Sequence, residues 1–257
     1  MPVLRVGSII PSVSAFSVLA VDLDSNTDLF EKNSDKPVLP ASTTKIATAL
    51  VAIDYFPLSK VLKVGNVKVE GQKMRLVPGE EITVKDLLYG LLIYSANDAA
   101  EVLADSFEGG REEFVNEMNR KSSKLGLSDT FFNNPVGLDS NGHFTTARDL
   151  AKISTVAMKN PFFRDIVSTK EKVVTSIDGR FKHKLVNINE LLGEVPGVLG
   201  IKTGWTESAK ENLVTYVERG DRRVLIVLLG SEDRFGETKM LIDWIFSNFN
   251  WEYVAQN

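Results

Sequence analysis

Strand-like segments lie near both ends of the 257-residue chain, and helix-like segments fill the middle. An apolar run over 15–22, a turn cluster and a second run over 28–32 indicate a hairpin. Near the other end, the runs 212–218 and 222–230 flank Arg219-Gly220-Asp221 and indicate another hairpin. The last of these runs is almost entirely apolar, as expected of a strand that is buried on both faces.

Helical patterns occupy the region between the two hairpins. They cover 43–56, 84–94, 98–107, 112–125 and 146–159, and a further helix over 237–249 follows the second hairpin. Asn160-Pro161 is expected to end the fifth helix. Strands at both ends that enclose a block of helices predict an α+β fold whose sheet is assembled from distant segments.

Composition excludes several classes of function. The chain has no cysteine, which excludes disulfides, thiol nucleophiles, thiolate zinc sites and iron–sulfur clusters. Its two histidines, His143 and His183, have no metal-ligand spacing and are expected at the surface. A net charge of −4 argues against nucleic-acid binding. No apolar run approaches the roughly 18 residues that a membrane span requires.

Ser42 and Lys45 stand three residues apart at the start of a predicted helix, where they share one face. A serine becomes a strong nucleophile only when a base removes its proton. A lysine can be that base where burial and nearby positive charge lower its pKa. Taken alone, the pair is better explained as a helix N-cap serine beside a surface lysine.

Two further short motifs carry polar groups. Ser95-Ala96-Asn97 lies between two predicted helices and can aim a hydroxyl and an amide at one point, although turns favour both residues everywhere. Lys202-Thr203-Gly204 precedes the second hairpin as the start of a strand. Its cation and hydroxyl could bind a carboxylate, and its glycine allows another backbone or a ligand to approach closely.

Together, in this order, the three motifs form the active-serine set of β-lactamases and penicillin-binding proteins, with Ser-x-Asn in place of Ser-Asp-Asn. The chain resembles the low-molecular-mass penicillin-binding proteins that are serine-type D-alanyl-D-alanine carboxypeptidases. The resemblance runs from about residue 15 to 249 and includes the stretches 39–45, 97–100, 114–119, 125–126, 132–139, 145–147 and 187–192.

The resemblance implies a serine β-lactamase-like fold, in which helices flank an antiparallel sheet and the site lies in a cleft beside a helical subdomain. It implies a single transpeptidase-like catalytic domain over 1–257, with sheet parts at about 1–40 and 165–257 and a mainly helical part at about 43–160. The β-rich C-terminal domain of many relatives is expected to be absent.

The resemblance also assigns roles in acyl transfer. The penultimate D-Ala carbonyl of a peptidoglycan stem peptide ending in D-Ala-D-Ala would acylate Ser42, and the terminal D-Ala would leave. Lys45 would act as the base and Ser95 would shuttle the proton. Backbone N–H groups of Ser42 and Trp205 would form the oxyanion hole. β-Lactam antibiotics would acylate the same serine as inhibitors.

The remaining motif residues would bind substrate. Asn97 would position the substrate amide, and Lys202 with Thr203 would hold the terminal carboxylate beside Gly204. No metal, cofactor or nucleic acid is expected. Because the family meets its substrate outside the cytoplasmic membrane, an extracytoplasmic location (periplasm or cell surface) is expected, with a leader peptide missing from this sequence.

Two residues depart from the family pattern. Lys210 stands where an Ala-Gly pair usually places glycine, so a positive φ there would be costly, and Trp205 stands where relatives often carry histidine. Two alternative functions remain open: a β-lactamase or other esterase, and a non-catalytic muropeptide-binding homologue. Class A β-lactamases need a glutamate for deacylation, and the candidate stretch 189–192 matches the carboxypeptidase pattern better.

Overall fold

A five-stranded antiparallel sheet forms the centre of the molecule in the computed structural model, which describes residues 1–252. The strands are β1 (Pro2–Leu4), β2 (Ser17–Asp22), β3 (Thr27–Lys32), β4 (Val61–Lys63), β5 (Glu81–Thr83), β6 (Glu171–Thr175), β7 (Lys182–Val186), β8 (Val198–Thr206), β9 (Lys210–Arg219), β10 (Arg222–Ser231) and β11 (Phe249–Trp251). The helices are α1 (Lys45–Tyr55), α2 (Val84–Ile93), α3 (Asn97–Asp105), α4 (Gly110–Lys124), α5 (Ala147–Met158), α6 (Pro161–Val167) and α7 (Arg234–Asn248), and a 3-10 turn over Ala41–Thr44 precedes α1.

The two hairpins predicted from the sequence join in this sheet. Its strand order is β3-β2-β10-β9-β8, and Ala20 of β2 lies opposite Ile226 of β10. The N-terminal and C-terminal segments therefore form one sheet, as predicted, with β8 at one edge. The assignment of 1–257 to a single catalytic domain stays a prediction, and its last five residues lie outside the described range.

Strand β10 separates two hydrophobic cores, which explains why its central residues 224–229 are all apolar. Side chains alternate across a strand, so successive residues of β10 face opposite cores. The larger core, shared with α1, α2 and α5, receives Leu225, Val227 and Leu229. The smaller core, shared with α7, receives Val224, Ile226 and Leu228. The prediction of a strand buried on both faces is confirmed.

Side-chain caps fix the starts of four helices, α2, α5, α6 and α7. Thr83 accepts a hydrogen bond from the Asp86 amide at 3.1 Å, and Thr146 accepts one from the Asp149 amide at 3.1 Å. Asn160 ends α5 as expected but also caps α6, which the sequence analysis missed. Proline is favoured at the first helical position because its missing N–H has no partner there in any case.

Both histidines are buried, so the expectation that they lie at the surface is wrong. His143 is 1% exposed, its Nε2 lies 2.9 Å from Thr44 Oγ1, and its Nδ1 accepts the Asn133 amide at 3.0 Å. Burial lowers the pKa of His143 to about 4. His183 is 8% exposed and lies between Glu80 Oε1, at 2.7 Å, and the Met74 carbonyl, at 2.9 Å.

Within residues 1–252, no helix is both long and apolar enough to cross a membrane.

Candidate active site

Ser42 lies in the 3-10 turn that leads into α1. The turn is closed by Thr43, whose hydroxyl donates to the Pro40 carbonyl at 2.6 Å. Ala41 has a φ of 47°, a left-handed conformation that costs a non-glycine residue on the order of 1 kcal/mol or more. The surrounding contacts therefore hold the serine in a conformation that an isolated peptide would rarely adopt.

Lys45 is the first residue of α1, and its Nζ lies 2.9 Å from Ser42 Oγ. Nζ also donates to the Val136 carbonyl at 2.6 Å, and the side chain is fully buried. Burial lowers the pKa of Lys45 to about 7, although the Glu101 carboxylate opposes this by favouring the charged form. Near neutral pH, a large fraction of this amine is therefore neutral and able to accept the serine proton.

The second motif forms the turn between α2 and α3. Ser95 has a φ of 62°, and its Oγ accepts a hydrogen bond from Lys202 Nζ at 2.8 Å. Asn97 begins α3 and donates from Nδ2 to the Glu70 carbonyl at 2.6 Å. Its Oδ1 is buried without a partner among residues 1–252. Asn97 lines the cleft described below, and this oxygen still has the capacity to accept a hydrogen bond.

The third motif lies on the edge strand β8. Lys202 is 1% exposed and also donates from Nζ to the Thr203 carbonyl at 2.8 Å. Burial lowers the pKa of Lys202 well below its ordinary value, and the positive charges of Lys45 and Arg234 lower it further. Both lysines are thus linked to a serine hydroxyl, Lys45 to Ser42 and Lys202 to Ser95.

Glycines permit the close packing of backbone around Ser42. A Cβ on Gly204 would lie 3.0 Å from the Ser42 amide nitrogen and 3.2 Å from the Pro40 carbonyl oxygen. A Cβ on Gly137, whose φ is 87°, would lie 1.9 Å from the Ala41 carbonyl oxygen. Any larger residue at either position would push the nucleophile turn out of place.

The motifs meet in a cleft of about 940 Å³ between the sheet edge and the helical part. Six of the eight predicted site residues line it: Ser42, Ser95, Asn97, Thr203, Gly204 and Trp205. Trp205 is 62% exposed at its rim. Lys45 and Lys202 lie behind this lining and reach it through their hydrogen bonds to Ser42 and Ser95. The roles assigned to these residues stay predictions.

Arg234 is a cleft residue that the sequence analysis missed. It begins α7, lines the cleft and donates from Nη1 to the Gly204 carbonyl at 3.1 Å. Its own amide donates to Glu211 Oε2 at 2.9 Å, which fixes the start of the helix beside β9. No short motif surrounds this arginine. Only the tertiary fold brings it to the cleft, so the sequence gives no local sign of its position.

Two asparagines hold the backbone of the site, and neither was predicted to do so. Asn212 of β9 is fully buried and donates to the carbonyls of Leu39 and Pro40 at 3.0 and 3.1 Å. Asn134 accepts from the amides of residues 136–138 at 2.7–3.2 Å and so positions the Val136 carbonyl for Lys45. Asn134 falls in one of the stretches that carry the resemblance, but nothing in the sequence indicated its structural role.

Lys210, the departure noted in the sequence, has a φ of 56°. The backbone at this position therefore adopts the conformation that favours glycine. Its side chain lies 3.2 Å from Glu232 in an exposed ion pair, an interaction that contributes little to stability.

Among residues 1–252, no group of three or more histidine, aspartate or glutamate side chains is arranged to hold a metal ion.

Sequence comparison places the chain among known peptidases. Residues 6–233 match the family of D-alanyl-D-alanine carboxypeptidases, peptidase family S11. The chain is 34% identical to the carboxypeptidase DacF of Bacillus subtilis, with 91% of this chain matched to 63% of the relative's length. It is 36% identical to DacB2 of Mycobacterium tuberculosis, with 93% of this chain matched to 84% of that protein.

Structural comparison agrees with the sequence comparison. The DD-transpeptidase of Streptomyces K15 superposes with a TM-score of 0.88 at 31% identity, covering 93% of this chain and 99% of that one. A D-alanyl-D-alanine carboxypeptidase from Mycobacterium tuberculosis superposes with a TM-score of 0.87 at 35% identity, covering 95% and 96%. These likenesses confirm the predicted fold of the penicillin-binding and β-lactamase type. By both comparisons, the chain belongs to the D-alanyl-D-alanine carboxypeptidase family, peptidase family S11.

Proposed function

We propose that this protein is a serine-type D-alanyl-D-alanine carboxypeptidase that removes the terminal D-Ala from peptidoglycan stem peptides through an acyl-enzyme on Ser42. The observation that carries the proposal is the 2.9 Å contact between Ser42 Oγ and a fully buried Lys45 amine. Its pKa of about 7 makes it a base of suitable strength near neutral pH.

The geometry supports acylation in one continuous transfer. Neutral Lys45 takes the Ser42 proton while Oγ forms a bond to the penultimate D-Ala carbonyl carbon. Backbone N–H groups of Ser42 and Trp205 stabilise the oxyanion that develops. Ser95, hydrogen-bonded to Lys202, delivers its hydroxyl proton to the leaving D-Ala nitrogen as the amide bond breaks, and takes in return the proton that Lys45 removed from Ser42, so that Lys45 is neutral again. Water then attacks the ester, releases the shortened peptide and restores Ser42.

Positive charge in the cleft favours a substrate with an anionic end. Thr203 and Arg234 line the cleft beside Gly204 and can contact the terminal carboxylate directly. Lys202 is buried behind them, so its charge would act at short range and with little screening. A bound carboxylate would in turn favour the protonated form of Lys202, which its surroundings otherwise disfavour.

Mass spectrometry of the intact protein tests the proposal directly. After mixing with diacetyl-Lys-D-Ala-D-Ala, we expect free D-Ala to accumulate, and after mixing with a penicillin we expect one covalent adduct. Ser42→Ala should abolish both, whereas Ser123→Ala, at an exposed serine of α4, should change neither. A 1:1 adduct that persists in Ser42→Ala would place the nucleophile elsewhere.

The same measurements separate the alternatives. Rapid turnover of penicillin without D-Ala release would indicate a β-lactamase, and binding without any covalent adduct would indicate a muropeptide-binding homologue. Because a structural relative is a DD-transpeptidase, glycine should be added as an acceptor. A product in which glycine replaces D-Ala would show that transfer competes with hydrolysis.

An extracytoplasmic location is part of the proposal, because peptidoglycan stem peptides are cleaved outside the cytoplasmic membrane. Fractionation of cells that express the natural gene should recover the protein from the periplasm or the cell surface. Recovery from the cytosol alone would contradict this part of the proposal and leave the chemistry of Ser42 untouched.

A further inference from the structure

A strongly basic groove of about 430 Å³ lies next to the active-site cleft. Five cationic residues line it, and no carboxylate does within the described part of the chain: Lys73, Arg75, Arg180, Lys182 and Lys184. Two chain segments pass from the cleft directly into the groove. Gln72 and Ser95 line the cleft, whereas their neighbours Lys73 and Tyr94 line the groove.

Most of the charge in the groove is not neutralised. Among residues 1–252, Lys73, Arg75 and Lys182 make no ion pair with a carboxylate. Arg180 pairs with Asp178, and Lys184 lies 3.6 Å from Glu171. The whole chain carries a net charge of −4, so the groove is positively charged although the molecule as a whole is negatively charged.

Buried side chains hold the two walls of the groove in place. Asp98 accepts hydrogen bonds from the amides of Met74 and Leu76, each at 3.0 Å, and Arg75 between them has a φ of 66°. His183 on β7 bonds the Met74 carbonyl at 2.9 Å and so ties the opposite wall to this loop. Asp98 and His183 are themselves 4% and 8% exposed. The cations are therefore presented by a fixed backbone.

We infer that this groove binds carboxylates in the uncleaved part of the substrate, upstream of D-Ala-D-Ala. The inference rests on the proposed function. Neighbouring residues line the cleft and the groove, and an extended peptide advances roughly 3.3–3.6 Å per residue, so the upstream part of a bound stem can extend into the groove. Glu70, Glu190 and Glu207 line the cleft and repel carboxylates in the upstream part of a peptide, whereas the cations of the groove attract them. The substrate class is thus a D-Ala-D-Ala peptide whose stem is acidic.

A matched pair of peptides tests the inference. One is acyl-γ-D-Glu-L-Lys-D-Ala-D-Ala with a free α-carboxylate, and the other carries the α-carboxamide at the same position. We expect the protein to cleave the free acid with a kcat/KM roughly three- to tenfold higher at low salt, the range expected of two solvent-accessible ion pairs. The preference should fade in 0.5 M NaCl, because salt screens such contacts.

Variants locate the preference in the groove. Lys73→Gln with Lys182→Gln should bring the acid-to-amide ratio close to one, and Arg75→Asn, which tolerates a positive φ, should lower it. Lys124→Gln with Lys159→Gln removes the same charge from exposed positions at the ends of α4 and α5, and should keep the ratio. The ratio compares two substrates on one enzyme, so a change in overall activity does not affect it.

The outcomes separate this inference from the proposed function. If wild type cleaves diacetyl-Lys-D-Ala-D-Ala but treats the matched peptides equally, the inference is wrong and the proposed function stands. If polyphosphate binds the groove while both peptides are cleaved alike, the groove serves an external polyanion instead. If no peptide is cleaved, calorimetric binding of the pair to Ser42→Ala decides, and equal affinity for acid and amide overturns the inference.

Discussion

The ion pair between Arg111 and Glu101 is expected to set the pH at which Lys45 becomes an effective base. Arg111 donates to both carboxylate oxygens of Glu101, at 2.7 and 3.2 Å. Glu101 favours the charged form of Lys45, and Arg111 offsets that effect. Because Lys45 acts as a base only when neutral, kcat/KM should rise with pH through a midpoint near the Lys45 pKa of about 7.

Arg111→Met should move this midpoint upward, because it leaves the Glu101 carboxylate without its partner. The substitution removes the repulsion between the Arg111 and Lys45 charges; for two unit charges roughly 8–10 Å apart at an effective dielectric of about 20, this repulsion is about 2 kcal/mol. That energy corresponds to slightly more than one pKa unit. The Arg111 side chain is 44% exposed, so solvent screening reduces the expected shift to about half to one unit.

The assay is kcat/KM for diacetyl-Lys-D-Ala-D-Ala between pH 5 and 9.5. A shift of this size lowers kcat/KM at pH 6 by about three- to tenfold and leaves the plateau near pH 9 unchanged. Glu101→Gln should move the midpoint in the opposite direction. Arg120→Met is the matched control, since this arginine of α4 pairs with the partly exposed Glu113 and Glu117. Equal midpoints in all four proteins, or shifts of the same sign for Arg111→Met and Glu101→Gln, would refute the reasoning.

Three further changes test the structure around the site. Asn212→Ala removes the side-chain partner of the Leu39 carbonyl and the Gly230 amide, and one of the donors to the Pro40 carbonyl. It should cost about 2–5 kcal/mol in urea unfolding while slowing penicillin acylation; a loss under about 1 kcal/mol contradicts this. Lys210→Gly should raise the free energy of unfolding by about 0.5–1 kcal/mol, because it relieves a positive φ at some cost in chain entropy; an unchanged Tm contradicts this. Burial lowers the folded-state pKa of His143 to about 4 from 6.5, so the unfolded state binds the proton more tightly. The free energy of unfolding should therefore fall by up to about 3 kcal/mol as the pH falls from 6.5 to 4. His143→Gln should reduce this fall, and identical curves of stability against pH for the two proteins would contradict it.

The sequence predicted the local chemistry of the site because each motif sets its own geometry. Ser42 and Lys45 face each other since three residues make about one helical turn, and the structure gives that pair a 2.9 Å contact. Ser95 and Asn97 share one tight turn for the same local reason. The order of the helices and the two hairpins followed from hydrophobic periodicity, which long segments carry clearly.

Residues that reach the site through tertiary contacts were not predictable in this way. Asn212 bonds Pro40 across 172 residues, and the start of α7 brings Arg234 to the Gly204 carbonyl. Neither has a neighbour in sequence that indicates its partner. The fold alone determines which polar side chain of a strand, or which arginine of a helix, meets the nucleophile turn.

The short hairpin β6–β7 was missed for a different reason. Its second strand alternates exposed lysines with buried His183 and Leu185, a period of two that is typical of a half-buried strand. A histidine at a buried position makes this alternation look like a run of polar residues, which is why His183 was expected at the surface. The Glu80 carboxylate and the Met74 carbonyl, which satisfy the buried ring, come from another part of the chain.

The pairing of β2 with β10 has a consequence for synthesis of the protein. Asp22 leaves the ribosome about 200 residues before Val224, its partner in the sheet. At roughly 5–20 residues per second, the N-terminal hairpin remains without its neighbour for about 10–40 s. Asn212, which holds the turn before Ser42, also emerges late. A nascent chain therefore has no reactive serine until the segment that contains Asn212 and β10 has been translated, and a penicillin should label only chains that extend beyond β10.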